Sequence, residues 1–340
     1  MKKEGFAVIG SGYWGMNYVR LLSQMPETEL IAVCDQAQDR LDVISQRFPK
    51  AALYQEIAPI LADKEIEAVV VCTNPASHFE VAKQLLMAGK HVLVEKPMTL
   101  TAATSGELVK IAKEKKLTLM VGHIFLYHPA VDKVKSYIES GDLGEMHYMY
   151  AQRTNLGPIR EDVNALWDLA PHDVSIFNHL MDANPVWVSA VGTRFLRGHV
   201  EDAGFIVLGY ENGTVCNIHV SWADPHKVRE VVVVGSKQRI SFNDTSPDEK
   251  VRVFEKGVAA SATAYSDFGE YQLMIRDGDV ISPKIPFEEP LKNEVLHFIE
   301  CKQTGKQPRS DGMSGMVVVK VMEAVNESVR NNGAPVYLKY

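Results

Sequence analysis

Phe6-Ala7-Val8-Ile9-Gly10-Ser11-Gly12-Tyr13-Trp14-Gly15 runs a short apolar stretch straight into three glycines spaced G-x-G-x-x-G. The apolar run has strand length, and residues from Gly15 to about Met25 carry a helical pattern. Each glycine has a task in such a strand–turn–helix. Gly10 permits the tight turn, Gly12 lets a pyrophosphate approach the backbone, and Gly15 lets helix and strand pack closely. The helix N-terminus offers free N–H groups and a positive dipole end, with Ser11, Tyr13 and Trp14 completing the loop. Trp14 is read as covering the pyrophosphate.

Further runs of the same kind follow: 30–34, 68–72, 91–94 and 117–121, with helical patterns at about 38–47, 77–88 and 101–115. Continuous apolar runs, without in–out alternation, indicate strands buried on both faces of a parallel sheet. Residues 1–122 therefore read as a doubly wound, Rossmann-type domain. The pattern then changes. A helix at about 129–140 precedes strand-like runs at 146–154, 186–196, 203–210, 213–222, 228–235, 238–243, 250–255 and 270–275. A helical segment at about 171–182 interrupts them, and helices return at 288–302 and 311–330. The fold class is α/β: the Rossmann domain plus an α+β domain, 123–340, on a large, mostly antiparallel open sheet. The helix at about 311–330 is able to pack back on the first domain.

Composition sets the outer bounds. The 340 residues are 46% hydrophobic and 23% charged, ordinary globular usage. With 36 basic and 43 acidic residues the formal charge is −7, which argues against nucleic acid as a partner. No apolar run approaches the ~20 residues of a membrane span. Four scattered cysteines without a Cys/His ladder give no metal site, and reduced thiols fit a cytoplasmic setting.

Asp35 ends the second strand, twenty residues beyond Gly15. A carboxylate there can accept hydrogen bonds from both adenosine ribose hydroxyls and repels a 2′-phosphate, so NAD is expected over NADP. Thr73-Asn74-Pro75 follows the third strand, and Glu95-Lys96-Pro97 the fourth. Ligands in such folds bind beyond the carboxyl ends of the strands, so both segments, with nearby His78, are assigned to the cofactor side. From spacing alone a surface lysine fits Lys96 about as well.

With these motifs in this order, the chain resembles the glucose–fructose oxidoreductase/inositol dehydrogenase/rhizopine catabolism (Gfo/Idh/MocA) family over essentially its whole length. The resemblance implies that Lys96 faces the substrate and that the Glu95–Lys96–Pro97 turn shapes a nicotinamide pocket. It also implies an open sheet that often forms a subunit interface, hence a homodimer or homotetramer. A second motif, Asp168-Leu169-Ala170-Pro171-His172, matches the Asp and His that complete a catalytic group with the lysine; Ala170 stands where members often have glycine. Four residues along a helix put Asp168 and His172 on one face. His172 titrates near neutrality without perturbation, so it is assigned as the main acid/base, with Lys96 polarising the reacting oxygen and Asp168 orienting the pair.

Residues 152–157 and 164–167 resemble a nucleotide-sugar subgroup that includes UDP-N-acetylhexosamine 3-dehydrogenases, oxidised at C3. A diphosphate needs guanidinium forks, and Arg153, Arg160, Arg194 and Arg197 are available; a solvated surface charge is the plainer reading of each. Trp167 can stack on a nicotinamide or sugar face, and Tyr127, His128 and Asn155 are further candidates. His123 reads as a packing or cofactor-pocket residue. The alternatives are a free-sugar or inositol dehydrogenase, a non-catalytic NAD-binding regulator, and an enzyme that recycles tightly held NAD.

Overall fold

β1 (Glu4–Ile9) is buried along its whole length. The elements that follow are α1 (Tyr13–Gln24), β2 (Thr28–Cys34), α2 (Gln38–Arg47), β3 (Ala52–Tyr54), α3 (Ala58–Ala62), β4 (Ala68–Val71), α4 (Pro75–Met87), β5 (His91–Glu95), α5 (Ala102–Lys115) and β6 (Leu119–Gly122). The strands pair in parallel in the order β3-β2-β1-β4-β5-β6. The chain order reverses beside β1, and a crevice beyond the strands' carboxyl ends follows from that reversal. β3 has no counterpart among the expected strands. It is only three residues long, half-buried and at the sheet edge, so it never presents an apolar run.

The computed structural model describes residues 3–160, 163–196, 198–260 and 273–340. They fall into two units: Met1–Tyr127 with Glu288–Glu323, and His128–Phe287 with Ala324–Tyr340. The second unit contains α6 (Pro129–Glu139), β7 (Met146–Leu156), α7 (Ala165–Met181), β8 (Trp187–Thr193), β9 (Ala203–Gly209), β10 (Val215–Ser221), β11 (Ala223–Gly235), β12 (Arg239–Asn243), β13 (Val251–Phe254), β14 (Gly257–Ala260), β15 (Leu273–Arg276) and β16 (Val280–Ile281). Then come α8 (Pro290–Thr304), α9 (Gly312–Arg330) and β17 (Val336–Tyr337).

The second sheet has the order β16-β13-β12-β11-β7-β10-β9-β8-β17. Its neighbours are antiparallel except β7 and β10. β14 and β15 form a separate ribbon, and residues 270–272 of the expected strand 270–275 lie outside the described residues. One face of the large sheet buries Met149, Ala151, Ile206, Leu208 and Ile218 beneath α7. The other exposes Tyr148, Tyr150, Val191, Phe205 and Val215.

α8 belongs to the first unit. Phe298 packs on Phe6 with ring centroids 6.0 Å apart, and Lys302 pairs with Glu4 and Glu67. The start of α9 lies there too: a Cβ on Gly315 would sit 2.4 Å from Val121. The first unit thus takes in α8 and the start of α9, the helix expected at about 311–330 to pack back, whereas a single boundary at residue 122 assigns α8 to the second domain. Among the described residues no helix is long and apolar enough to cross a membrane.

Candidate active site

The glycine loop has the geometry its sequence demands. Gly10 has φ +87°, and a Cβ there would lie 2.7 Å from the Cys72 carbonyl. A Cβ on Gly15 would fall 1.9 Å from the Gly10 carbonyl oxygen. At Gly12 only the Arg40 guanidinium comes near, at 3.9 Å, so the backbone is open where a pyrophosphate would approach. Gly12 caps α1 without a side chain, leaving the first-turn N–H groups to a phosphate. Tyr13 and Trp14 stand exposed beside this loop, edge to face at 5.7 Å.

Asp35 is fixed at the end of β2. Its Oδ2 accepts from Ser11 N at 2.7 Å and Ser11 Oγ at 2.8 Å, and its Oδ1 from Ala37 N at 3.0 Å. Burial pushes its carboxyl up, but these hydrogen bonds and the Arg40 charge outweigh it, holding the group below its ordinary value. Arg40, at 3.4 Å, was not singled out from sequence; as a basic residue on the exposed start of α2 it gives no pattern signal. A fixed anion, an open glycine and an unfilled helix start together fit NAD.

Asn74 caps α4 through Ala76 N, and Thr73 Oγ1 accepts from Ser77 Oγ. His78 is buried, its ring nitrogens 2.9 Å from the Pro97 carbonyl and 3.0 Å from the Thr73 carbonyl. It ties the two turns together rather than presenting its ring to a ligand. Lys96 is half-buried at the end of β5. The Glu95 carboxyl, by contrast, turns inward to Tyr18 and is buried. Tyr127 is also withdrawn: its hydroxyl shares a hydrogen bond with Ser310 at 2.8 Å and the ring is 3% exposed. That excludes it as a cleft-lining side chain. His123 has neither ring nitrogen hydrogen-bonded among the described residues, and burial, aided by the Lys96 charge, drives its pKa down to about 3.

In the second unit, α7 starts six residues before the expected 171. Asn164 caps it by accepting from Trp167 N at 2.9 Å, and Pro171 sits inside it. A proline lacks an N–H and disfavours a helix interior, which is why the pattern reads as starting there. The result puts Asp168 and His172 one turn apart on one helix. Asp168 is held from both sides: Oδ1 accepts from Arg160 Nη1 at 3.1 Å, and Oδ2 from Trp222 Nε1 at 3.2 Å. The buried Trp167 Nε1 has no hydrogen-bond partner among the described residues.

Three of the four candidate arginines are engaged by carboxylates. Arg153 is buried and bidentate to Asp173, at 2.8 and 2.9 Å, so it is a structural cation and no diphosphate fork. Arg194 donates to Glu201, and Arg160 to Asp168. Arg197 lies outside the described residues. The Asn155 amide donates to the Gly157 carbonyl. His128 caps α6 through Ala130 N and is buried against Phe242, which removes it from any cleft.

Two family profiles match the chain: an oxidoreductase family described as an NAD-binding Rossmann fold, over residues 5–123, and the GFO/IDH/MocA C-terminal domain, over 131–241. The chain belongs to this family of NAD-binding oxidoreductases. It is 30% identical over 217 residues to a UDP-N-acetylglucosamine 3-dehydrogenase of Acidithiobacillus ferrooxidans, covering 63% of this chain and 66% of that one. It is 24% identical to a scyllo-inositol 2-dehydrogenase (NAD(+)) of Bacillus subtilis, over 98% and 95% of the two chains. The solved UDP-N-acetylglucosamine 3-dehydrogenase GnnA of A. ferrooxidans superposes with a TM-score of 0.82 at 24% identity, over 97% and 99% of the chains.

Proposed function

We propose that the protein is a dehydrogenase of a secondary alcohol on a nucleotide-linked sugar, a UDP-N-acetylhexosamine oxidised at C3. The carrying observation for the chemistry is Asp168, fixed between Arg160 and Trp222 one turn before His172. Bound NAD supplies the hydride acceptor. His172 takes the hydroxyl proton, Lys96 hydrogen-bonds the reacting oxygen, and Asp168 orients the acid/base. Trp167, beside Asp168 and largely buried, is assigned to stack on the nicotinamide or a sugar face. The 30% relative supports the substrate class.

A second reading, a free-polyol dehydrogenase, gains from the engagement of Arg153 and Arg194 by acids, because a neutral inositol needs no diphosphate cradle. NADH formation with UDP-GlcNAc, UDP-GlcNAc uronic acid, glucose, myo-inositol and scyllo-inositol separates them. Turnover of only the UDP sugars upholds the first reading; turnover of only the inositols replaces it with the second. The four free cysteines fit a reducing cytoplasm. The apolar exposed face of the large sheet, with Phe205 stacked on His219 at 4.5 Å, fits a homo-oligomer interface.

A further inference from the structure

Behind Lys96, the first unit buries two carboxyl groups around one phenol. The Tyr18 hydroxyl lies 2.7 Å from Glu294 Oε2 and 3.2 Å from Glu95 Oε1. Tyr18 and Glu294 are fully buried and Glu95 is 8% exposed. A phenol has one proton to donate, and an ionised carboxylate has none. Both contacts can be hydrogen bonds only if one carboxyl keeps its proton and donates to the tyrosine oxygen.

Which one keeps it follows from the surroundings. Glu95 Oε2 accepts from the Lys96 backbone N–H at 3.1 Å, and the Lys96 ammonium favours its charged form. Glu294 has no such cation: its Oε1 has no hydrogen-bond partner among the described residues. Cys72 and Tyr127 are further titratable groups that interact with the cluster, and His123 interacts with Lys96 beside it. Burial holds the thiol and the phenol protonated and the imidazole neutral. Burial pushes Glu95 up to about 7, with Lys96 pulling it back, and pushes Glu294 well up, with the Glu95 charge adding to the effect. Gly122 pairs with Glu95 across the strands and makes room for its carboxyl; a Cβ there would lie 3.1 Å from Glu95 Cδ.

We propose that Glu294 is a positioning residue for the reaction: a protonated acid that donates to Tyr18, which donates to Glu95, so that Glu95 alone is charged beside Lys96. This rests on the reading of Lys96 as the substrate-facing group. A second buried carboxylate would compete for the Lys96 ammonium with the charge that develops on the reacting oxygen and weaken its polarising role. Above neutral pH the relay holds the count at one anion for one ammonium, and it fixes the carboxyl that anchors the Lys96 turn.

The test combines infrared spectroscopy of the protein with kinetics. A protonated-carboxyl band, shifted in D2O, is expected at about pH 9, where Glu95 is ionised; it disappears in Glu294→Gln and persists in Glu95→Gln. Glu294→Met, which cannot donate, is expected to lower kcat about tenfold with no matching rise in KM, the effect of one hydrogen bond. Glu294→Gln donates the same hydrogen bond and is expected to restore most of that loss, while its pH profile of kcat/KM lacks one ionisation present in wild type. A band that survives Glu294→Gln, or kinetics and a pH profile of Glu294→Met equal to wild type, overturns the proposal. The band is read without substrate. If it behaves as expected while no sugar or polyol is turned over, the functional reading fails and the proton assignment stands.

Discussion

Arg153 grips Asp173 with two arms of its guanidinium, at 2.8 and 2.9 Å, both residues being buried. Asp173 lies on α7 directly after His172, so the pair locks the helix that carries the candidate acid/base to β7. Breaking a buried pair by removing one partner leaves an uncompensated charge. Arg153→Met is expected to destabilise the protein by about 3–5 kcal/mol, read by urea unfolding. The surviving folded enzyme should keep its substrate KM. A raised KM with unchanged stability would return Arg153 to the substrate site.

His172→Asn removes the imidazole assigned as acid/base while keeping a polar side chain. Turnover is expected to fall by about 10²–10⁴-fold. NADH binding, followed by its fluorescence, should be nearly unchanged. Near-normal turnover would take His172 out of the mechanism.

Trp222→Phe keeps an aromatic ring, though a smaller one, and deletes the N–H that holds Asp168 Oδ2. Loss of one hydrogen bond to a charged group predicts a drop in kcat of about tenfold or more. Arg160 still holds Oδ1, so the loss should be smaller than that of His172→Asn. Equal or larger damage would mean that Trp222 packing, and not its N–H, matters.

Asp35 sets the cofactor preference. Asp35→Ser removes the ribose acceptor and the repulsion of a 2′-phosphate and frees Arg40 from its ion pair. The ratio of kcat/KM for NADP to that for NAD is expected to rise at least tenfold, a shift of about 1.4 kcal/mol in discrimination. A ratio that does not move places the discrimination elsewhere.

The parts legible in sequence are those that one short stretch specifies. The glycine loop, Asp35 and the buried strands each follow from local spacing, and Asp168 and His172 share a helix face as their separation implies. What stayed hidden depends on partners far along the chain. Arg153 reads as a surface charge or a diphosphate fork until β7 and α7 bring it onto Asp173, 20 residues away. Tyr127 and Ser310 are 183 residues apart, and Tyr18 and Glu294 276 apart. Glu294 did leave a trace: it is a lone acid on the face of α8 that buries Leu291, Val295 and Phe298. An acid at such a position is excluded from water, and its partner can be found only in three dimensions.

His123 and Glu95 make opposite demands on pH. His123 has its pKa lowered from 6.5 to about 3, so below 6.5 the unfolded chain binds a proton that the native state refuses. Its contribution is present above 6.5 and lost as pH falls toward about 3. Glu95 is raised from 4.5 to about 7, so the native state keeps a proton that the unfolded chain gives up. Its contribution is present below 4.5 and lost as pH rises through about 7. Between 4.5 and 6.5 the two oppose each other and partly cancel in wild type. Urea unfolding at several pH values in that window separates them. His123→Met should make stability fall more steeply with rising pH than in wild type, and Glu95→Gln should make it rise more steeply. Each slope changes by at most about 1.4 kcal/mol per pH unit, the limit for one proton. Variants whose slopes both parallel wild type would show that neither group changes protonation on folding in this range, and the neutral imidazole beside Lys96 would then have to be abandoned.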